Sequence, residues 1–430
     1  MSVLRNFRKH FSTFVLTRGL TIALLGSAFI YLDYWGFSFP WLNSILGIFA
    51  LYLLLSSNTA VWCVTGFFTG IFWFWWIALS FNHYQMPWAI PIIILAVGLM
   101  YAALFWIIAF VGSVYRSKPT MVGKPTLQEL LIKSTGLLLF SYIHPFGFDW
   151  FKPELVFVES YFGIAKWQFA LILLSLVLTL WKKQYLYLLI ALLAFEPIQT
   201  QSIELPKKIQ IVTTQTTVKE KWNKVLHPEQ FRILFSAIDR AIDTNKTLII
   251  FPESVFPVFL NLSAPLLNTL RGKSKQISIV TGALYWDGKT PRNSTFIFEN
   301  GDIQIANKVL LVPFGESNPL PDFLSNWVNR VFYDGAVDYK ADSHVTDYTI
   351  DGKTYRNAIC FEATSEKLYE GRPKNMIVLS NNGWFTPSIE PTLQKLLLQY
   401  YSRKYGTTIY HAVNMSASYI VQNGQSRSLP

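Results

Sequence analysis

Three side chains that could carry out acyl transfer together each follow a predicted β-strand. Glu253 lies in the sequence FPES, Lys308 begins the sequence KVLLVPFGE, and Cys360 lies in the sequence ICFE. A thiol attacks a carbonyl carbon as a thiolate, so it needs a base to take its proton. The tetrahedral intermediate then needs a cation or hydrogen-bond donors at its oxygen. A glutamate, a lysine and a cysteine supply these three functions, and active sites of sheet proteins collect where strands end.

Taken singly, each of these residues has an ordinary structural explanation. A single cysteine after an apolar strand is more often a small core residue, and Glu253 or Lys308 alone would more often be a surface charge or half of an ion pair. The combination, in this order and in these sequence contexts, favours a catalytic site. The sequence has no HExxH, CxxC or Walker pattern, so we expect no metal site and no cofactor.

The elements that must position these residues begin after Pro206, where apolar runs shorten to strand length and charges return. Strands 247–251 and 376–380 are apolar on both faces, as central strands covered by other layers are. We therefore predict a globular α/β domain over 201–430. The predicted strands are 209–213, 247–251, 277–283, 294–298, 358–360 and 376–380, and the predicted helices are 230–243 and 391–405.

The preceding part of the chain has the composition of a membrane protein. The 430 residues are 51% hydrophobic, 16% aromatic and only 15% charged. No Lys, Arg, Asp or Glu occurs from Tyr34 to Tyr115, a stretch several times longer than the roughly 20 residues that cross a bilayer. We therefore predict a polytopic α-helical membrane bundle of about 7 spans over 1–200. The predicted spans are 20–32, 41–55, 60–81, 89–114, 130–143, 162–181 and 185–195.

The basic residues between the spans indicate the orientation of the bundle. Arg116, Lys118 and Lys124 follow the fourth span, and Lys182 and Lys183 follow the sixth, whereas the links after the first and third spans have no basic residue. The positive-inside rule places the amino terminus and these basic connections in the cytoplasm. An odd number of spans then delivers the globular domain to the opposite face, which is the periplasm in a Gram-negative cell. The net charge of +11 is scattered over loops and span ends, which indicates orientation and lipid contact and does not favour nucleic acid.

The order and contexts of Glu253, Lys308 and Cys360 resemble those of the carbon–nitrogen hydrolase (nitrilase) superfamily, whose Glu-Lys-Cys triad lies on an αββα sandwich. The sequence NNGWF at 381–385 and Arg403 on the following helix extend the resemblance. With the membrane bundle, the whole chain resembles the apolipoprotein N-acyltransferase family of the bacterial inner membrane. These enzymes face the periplasm and add the third acyl chain to lipoproteins.

The resemblance implies a role for each matching residue. Glu253 would be the general base, Lys308 would stabilise the oxyanions and bind substrate, and Cys360 would be the nucleophile. The other matching residues are Glu316 and Glu362, which would support the site, and Trp222 and Trp384, which would lie near its entrance and bind substrate. Two departures stand out: the family commonly has tyrosine where this chain has Phe361, and its members end in a further span where this sequence ends in the polar stretch 422–430.

Two apolar segments beside the catalytic contexts predict a lid at the membrane surface. They are 255–267, after Glu253, and 320–332, which contains Phe323 and Trp327. Aromatic side chains are well placed to meet acyl chains at the bilayer interface. We expect Phe323 and Trp327 to bind the lipid substrate. Burial against the sandwich core is the alternative for both segments.

The expected reaction transfers an acyl chain from a phospholipid, through a thioester on Cys360, to the N-terminal amine of a diacylglyceryl-cysteine apolipoprotein. The expected partners are these two substrates and membrane lipid, and the protein is expected to act as a monomer. A membrane-tethered amidase or nitrilase would pass the same thioester to water. A transporter with a soluble appendage is a third reading, but the spans contain almost no ionisable residues, which transport pathways usually need.

Overall fold

The computed structural model describes residues 12–114, 125–197, 203–318 and 339–429. Arg116, Lys118, Lys124, Phe323 and Trp327 lie outside these described residues. Contacts divide the chain into two units that are discontinuous in sequence. Unit 1 comprises Met1–Ile143, Phe151–Thr200 and Pro387–Leu396, and unit 2 comprises His144–Trp150, Gln201–Thr386 and Leu397–Pro430. The larger parts of the two units divide near residue 200, and two short segments, His144–Trp150 and Pro387–Leu396, each belong to the other unit.

Unit 1 is helical. Its helices are α1 (Thr13–Tyr34), α2 (Pro40–Leu55), α3 (Thr59–Phe74), α4 (Ile90–Val114), α5 (Leu127–Phe140) and α6 (Lys166–Lys182), with 3₁₀ helices at Trp75–Asn82, Pro87–Ala89, Pro153–Phe157 and Tyr185–Ala194. Polar caps fix where several of them begin. The side chains of Ser12, Asn58 and Thr126 each accept a hydrogen bond from the first turn of α1, α3 and α5, which satisfies a backbone N–H that the helix leaves unpaired.

Three helical stretches of the described residues are long and apolar enough to cross a membrane: Thr13–Tyr34, Thr59–Asn82 and Pro87–Val114. Pro40–Leu55 and Tyr185–Ala194 are shorter apolar helices. The predicted fifth span corresponds to α5, which has 14 residues and rises about 21 Å, less than the roughly 30 Å of a hydrocarbon core. Unit 1 thus has the apolar helices of a membrane domain, while the count of about seven spans stays a prediction.

Close packing and buried ion pairs hold the helices of unit 1 together. A Cβ on Gly66 would come within 2.5 Å of the Tyr101 carbonyl oxygen, and one on Gly70 within 2.9 Å of the Tyr101 Cβ, so α3 and α4 approach closely at these two glycines. Lys133 on α5 is buried, and its Nζ lies 2.6 Å from Glu129 Oε1 and 2.8 Å from the Ser57 carbonyl oxygen. A buried charge is tolerated because it is paired in this way.

Unit 2 contains two six-stranded sheets. The strands of the first are β1 (Ile209–Ile211), β2 (Leu248–Ile250), β3 (Phe256–Phe259), β4 (Ser278–Trp286), β5 (Pro291–Glu299) and β6 (Asp302–Asn307). Those of the second are β7 (Asp347–Ile350), β8 (Lys353–Ile359), β9 (Asn375–Asn381), β10 (Thr408–Asn414), β11 (Tyr419–Gln422) and β12 (Gln425–Ser428). The helices are α7 (Val218–Lys221), α8 (His227–Asp243), α9 (Ala264–Lys273) and α10 (Glu390–Tyr405), whose first part belongs to unit 1.

Both sheets combine parallel and antiparallel strands. In the first, β1, β2 and β4 are parallel neighbours, β3 also pairs in parallel with β4, and β5 and β6 extend the sheet antiparallel. In the second, β8, β9 and β10 are parallel, with β7 on one side and β11 and β12 on the other. In each sheet the parallel strands end on the same side, and the candidate functional side chains lie in the loops that follow these strand ends.

The two sheets pack face to face. Leu248 and Ile250 of β2 share one buried core with Ile377 and Leu379 of β9. Ile249, which points to the opposite face of β2, packs in a second core with residues of α8 and α9. This alternation explains why β2 is apolar on both faces. The layers follow each other in the order helices, first sheet, second sheet, which agrees with the predicted sandwich.

The first segment of the predicted lid has a different role. It forms β3, a 3₁₀ helix at Leu260–Leu262 and the start of α9, and Val255, Phe256 and Leu260 are buried in the core beneath α8. The prediction of a lid is therefore wrong for 255–267. The segment contributes a strand that pairs with β4, and its buried side chains cover the outer face of the sheet. The sequence alone does not distinguish this cause of hydrophobicity from lipid contact.

Candidate active site

The register of the first sheet brings Glu253 and Lys308 to the same edge. Ile250 of β2 is opposite Val280 of β4, Ala283 is opposite Ser294 of β5, and Ser294 is opposite Asn307 at the end of β6. The residues that follow β2 and β6 therefore lie beside the ends of β4 and β5. The Lys308 backbone N–H donates to the Asn293 carbonyl oxygen at 2.9 Å, which fixes the start of the loop after β6.

A hydrogen-bonded network joins Glu253, Asn293, Glu316 and Lys308. The Asn293 amide Nδ2 donates to Glu253 Oε1 at 2.7 Å and to Glu316 Oε1 at 2.7 Å. Lys308 Nζ lies 2.7 Å from Glu316 Oε2 and 3.9 Å from Glu253 Oε1. Lys308 is only 1% exposed. Glu316 is thus a direct ion-pair partner of Lys308, and its supporting role stays a prediction.

Gly282 allows the Glu253 loop to approach the sheet. A Cβ at position 282 would lie 2.4 Å from the Ser254 backbone nitrogen, 2.7 Å from Glu253 Cα and 2.9 Å from the Glu253 carbonyl carbon. Ser254 itself has a φ of 48°, which is an uncommon conformation for a residue with a side chain. The backbone that carries Glu253 is therefore held in one tight arrangement against β4.

Cys360 lies in a strained turn between β8 and a 3₁₀ helix at Cys360–Thr364. Its φ is 53°, and a non-glycine residue in this region costs about 1–3 kcal/mol, which the surrounding structure must supply. Such a turn projects a side chain beyond the end of its strand, as in enzymes whose nucleophile sits between a strand and a helix. Cys360 is partly exposed, so a small reagent can reach it.

Glu362 holds this turn and links it to the Lys308 segment. Its Oε1 accepts from the Ile359 N–H at 2.7 Å, and its Oε2 accepts from the N–H groups of Val309 at 2.7 Å and Leu310 at 3.1 Å. Burial raises the pKa of Glu362 to about 7, although Lys308 and these three N–H donors act in the opposite direction. One carboxylate thus anchors the backbone on both sides of the site.

The charged groups of the site shift each other's pKa values. Burial raises the pKa of Glu253, against the effect of Lys308, and Glu316 raises it further. Burial alone would lower the pKa of Lys308, but Glu316, Glu253 and the charge of the Cys360 thiolate together raise it, so Lys308 stays protonated. Glu362 accepts from the N–H groups of Ile359, which precedes Cys360, and of Val309, which follows Lys308. The structure therefore brings all three predicted residues into one site.

Lys221 and Asn293 also belong to this site, and the sequence did not predict either. Lys221 is buried, and its Nζ donates to the Glu253 carbonyl oxygen at 3.0 Å. Two signals could have drawn attention to them. Lys221 directly precedes Trp222, and Asn293 directly precedes the predicted strand 294–298. Neither signal indicates chemistry without the fold.

Aromatic side chains line the region around Cys360. The ring of Phe361 stacks on Phe148 at 5.5 Å and on Trp150 at 6.3 Å, and Phe146 contacts Phe314 edge to face at 5.6 Å. Phe148 and Trp150 come from the segment that unit 2 draws from the earlier part of the chain. Phe361 replaces the tyrosine that the resemblance predicts, and its ring packs in this stack.

The two predicted entrance tryptophans lie in loops of unit 2. Trp222 follows Lys221 and is 41% exposed. Trp384 is half-buried and ends a 3₁₀ helix after β9, the strand beside β8. Asn381 at the end of β9 accepts from Asn414 Nδ2 at 2.7 Å. The positions are compatible with an entrance, and the binding roles of Trp222, Trp384, Phe323 and Trp327 stay predictions.

A buried carboxylate, a buried ammonium group and a cysteine in a strained turn, all at strand ends, define a class of protein: an enzyme that works through a cysteine nucleophile. The family model for the apolipoprotein N-acyltransferase integral membrane domain matches residues 13–199. The apolipoprotein N-acyltransferase of Wolinella succinogenes is 41% identical over 414 residues, covering 94% of this chain and 96% of that protein. That of Helicobacter pylori is 34% identical over 388 residues, with coverage of 88% and 87%. The chain belongs to the apolipoprotein N-acyltransferase family, as the sequence predicted.

Solved structures also resemble part of the chain. A CN-hydrolase superfamily protein from Xanthomonas campestris has a TM-score of 0.39 and 14% identity, covering 51% of this chain and 85% of its own. An amidase from Nesterenkonia has a TM-score of 0.39 and 14% identity, covering 53% of this chain and 89% of its own.

Proposed function

We propose that this protein transfers an acyl chain from a phospholipid, through a thioester on Cys360, to the N-terminal amine of a diacylglyceryl-cysteine apolipoprotein. The observation that carries the proposal is the connection of Glu253, Lys308 and Cys360 through Asn293, Glu316 and Glu362 in a chain of this family. The membrane helices of unit 1 support a lipid substrate, because a water-soluble amide needs no such scaffold.

The first half of the proposed reaction loads the cysteine. Glu253 takes the thiol proton, and the Cys360 thiolate attacks the carbonyl carbon of the phospholipid ester. Lys308 stabilises the oxyanion of the tetrahedral intermediate. As the intermediate collapses, the carbon–oxygen bond breaks, and Glu253 returns the proton to the leaving oxygen of the lysophospholipid. The raised pKa of Glu253 suits this double role, since a base works best when its pKa is near the working pH.

The second half releases the product. The neutral α-amine of the acceptor attacks the thioester carbon, Lys308 again stabilises the oxyanion, and Glu253 takes a proton from the attacking nitrogen. The carbon–sulfur bond then breaks, the amide is formed and Cys360 regains its thiol proton. The aromatic rings of Phe361, Phe148 and Trp150 offer apolar surface beside the sulfur for an acyl chain, and they favour an amine acceptor over water by keeping the surroundings apolar.

We also propose seven spans, a catalytic unit on the periplasmic face and a monomeric enzyme. The orientation is supported by Lys182 and Lys183 after α6 and by the links after the first and third predicted spans, which have no basic residue. Two weakly apolar helices, α5 and α6, would complete the count with the three long helices and the two shorter apolar ones.

The test of the proposed function is to detect the thioester and its fate. The purified protein is incubated with a phospholipid, and the Cys360 peptide is examined by mass spectrometry for an acyl adduct. We expect the adduct, and we expect a diacylglyceryl-cysteine peptide to discharge it as an amide. The Cys63→Ala variant should keep the adduct, because Cys63 lies in α3. Absence of the adduct would contradict the proposal, and equally fast discharge without the peptide would show a hydrolase.

A further inference from the structure

Lys221 is a buried ammonium group at the end of α7, held in place from several sides. It is 2% exposed, and its Nζ donates to the Glu253 carbonyl oxygen at 3.0 Å. The helix begins with a capping box in which Thr217 and Glu220 bond each other's backbone N–H groups. A ring nitrogen of His227 lies 3.2 Å from the Lys221 carbonyl oxygen. A charge buried in a fixed position costs free energy, so it needs a compensating interaction.

The charges that act on Lys221 are those of Glu253 and Cys360. Burial lowers the pKa of Lys221 to about 8, and Glu253 and the Cys360 thiolate oppose this shift. The geometry agrees with this: Lys221 Nζ lies 3.0 Å from the Glu253 carbonyl oxygen. Glu253 is joined through Asn293, Glu316 and Lys308 to the segment that Glu362 ties to the Cys360 turn. The charged and titratable groups around these three residues are Lys308, Glu316, Glu362 and His227.

The charge of Lys308 is already compensated by a carboxylate, so the negative charge shared by Glu253 and Cys360 needs a second cation, and Lys221 can supply it. Lys308 is already compensated by Glu316, whose Oε2 is 2.7 Å from its Nζ, and Glu253 is more distant at 3.9 Å. Proton transfer from the thiol to Glu253 does not change the total charge of that pair: one negative charge moves from the carboxylate to the sulfur. A second cation near both groups balances that charge before and after the transfer.

We infer that Lys221 is a positioning residue for Glu253 and the counter-cation of the Glu253 and Cys360 pair. It holds the base through the Glu253 carbonyl group and stabilises the negative charge on either partner. This inference rests on the proposed function, because it takes Glu253 as the base and Cys360 as the nucleophile. It adds a second lysine, which the predicted triad does not contain.

The test measures the reactivity of Cys360 without any lipid. The purified full-length protein is treated with iodoacetamide from about pH 6 to about pH 10, and modification of the Cys360 peptide is followed by mass spectrometry. The rate reports the thiolate fraction, because the thiolate is the nucleophile. In Lys221→Met, which removes the charge, we expect the pH profile to move up by at least about one unit, which is a loss of about tenfold in rate near pH 7.

Matched variants separate charge from packing. Lys221→Arg keeps a charge at every pH of the assay and should stay within about threefold of the wild-type rate at pH 7. Lys219→Met removes an exposed lysine two residues away and should leave the profile unchanged. Lys221→Gln keeps a donor for the Glu253 carbonyl group without the charge and should resemble Lys221→Met, so it replaces that variant if thermal unfolding shows that methionine prevents folding.

Two results would overturn the inference. A wild-type profile in Lys221→Met or Lys221→Gln would show that the charge has no effect on Cys360. Equal loss of reactivity in the arginine and glutamine variants would show that Lys221 acts through packing alone. Failure of the acyl adduct to form would count against the proposed function, whereas the alkylation profile would still report the coupling between Lys221 and Cys360.

Discussion

Replacing Gly282 with alanine should damage the site by displacing Glu253, the proposed base. The new Cβ would lie 2.4 Å from the Ser254 nitrogen and 2.7 Å from Glu253 Cα, and both are backbone atoms that cannot rotate away. Ordinary contacts begin at 3.4 Å, so the loop must move by about 1 Å, and a misplacement of that size can cost about 10²-fold in rate. Gly282 is not among the residues with positive φ, so the effect comes from this contact and not from backbone strain.

The assay for Gly282→Ala is single-turnover acylation of Cys360 from a phospholipid, together with thermal unfolding. We expect a loss of about 10²-fold in the acylation rate and a fall in the free energy of unfolding of about 1–3 kcal/mol from overpacking. Gly272→Ala is the matched control, because no atom lies within 4 Å of a Cβ at that position of α9. Its activity should be unchanged. An acylation rate within threefold of wild type in Gly282→Ala would refute the argument that this glycine positions Glu253.

Three further predictions concern the nucleophile, its support and the topology. Cys360→Ser should lose the acyl adduct, because a serine hydroxyl is far less ionised than a thiol beside a carboxylate base; turnover by this variant would exclude a thioester. The pKa of Glu362 is raised by burial to about 7, so its contribution to stability is present below about pH 4.5 and is lost towards pH 7. Glu362→Gln should flatten this part of the unfolding free energy measured against pH, and an unchanged slope would contradict the assignment. The topology is tested in a variant in which Cys63 and Cys360 are replaced. Val225→Cys, at a site that is 83% exposed, should react with an impermeant maleimide in intact cells, whereas Lys182→Cys should react only after lysis. The reverse pattern would show that the orientation is inverted.

Central strands were predictable because burial on both faces leaves a continuous apolar run. Residues 247–251 contain β2, whose side chains alternate between two cores, and residues 376–380 lie within β9, which is buried from Met376 to Asn381. Edge strands lack this signal. In β6, Asp302–Asn307, exposed and half-buried residues alternate up to the buried Ala306, so no continuous apolar run marks the strand. The predicted fifth span is a 14-residue helix that contains Glu129 and Lys133, and a buried ion pair lowers the apparent hydrophobicity of a packed helix.

The residues proposed for catalysis could be selected from their neighbours in sequence, whereas the residues that join them could not. Glu253, Lys308 and Cys360 occur in contexts that recur in a known superfamily. Asn293 is the amide that bridges two carboxylates, and it gains that function from the pairing of β5 with β4 and β6. Lys221 gains its function from the distance of 3.0 Å to a carbonyl group far along the chain. Such relations exist only in the folded molecule.

The segment His144–Trp150 has a consequence for attempts to cut the protein into parts. It belongs to unit 2, although the chain on either side of it belongs to unit 1. No single cleavage of the polypeptide can therefore separate the two units. A fragment that starts at residue 203 would lack Phe148 and Trp150, and the ring of Phe361 beside Cys360 would lose both of its stacking partners. A gene fusion that exchanged residues 1–200 alone would therefore also exchange Phe148 and Trp150, the stacking partners of Phe361 next to Cys360.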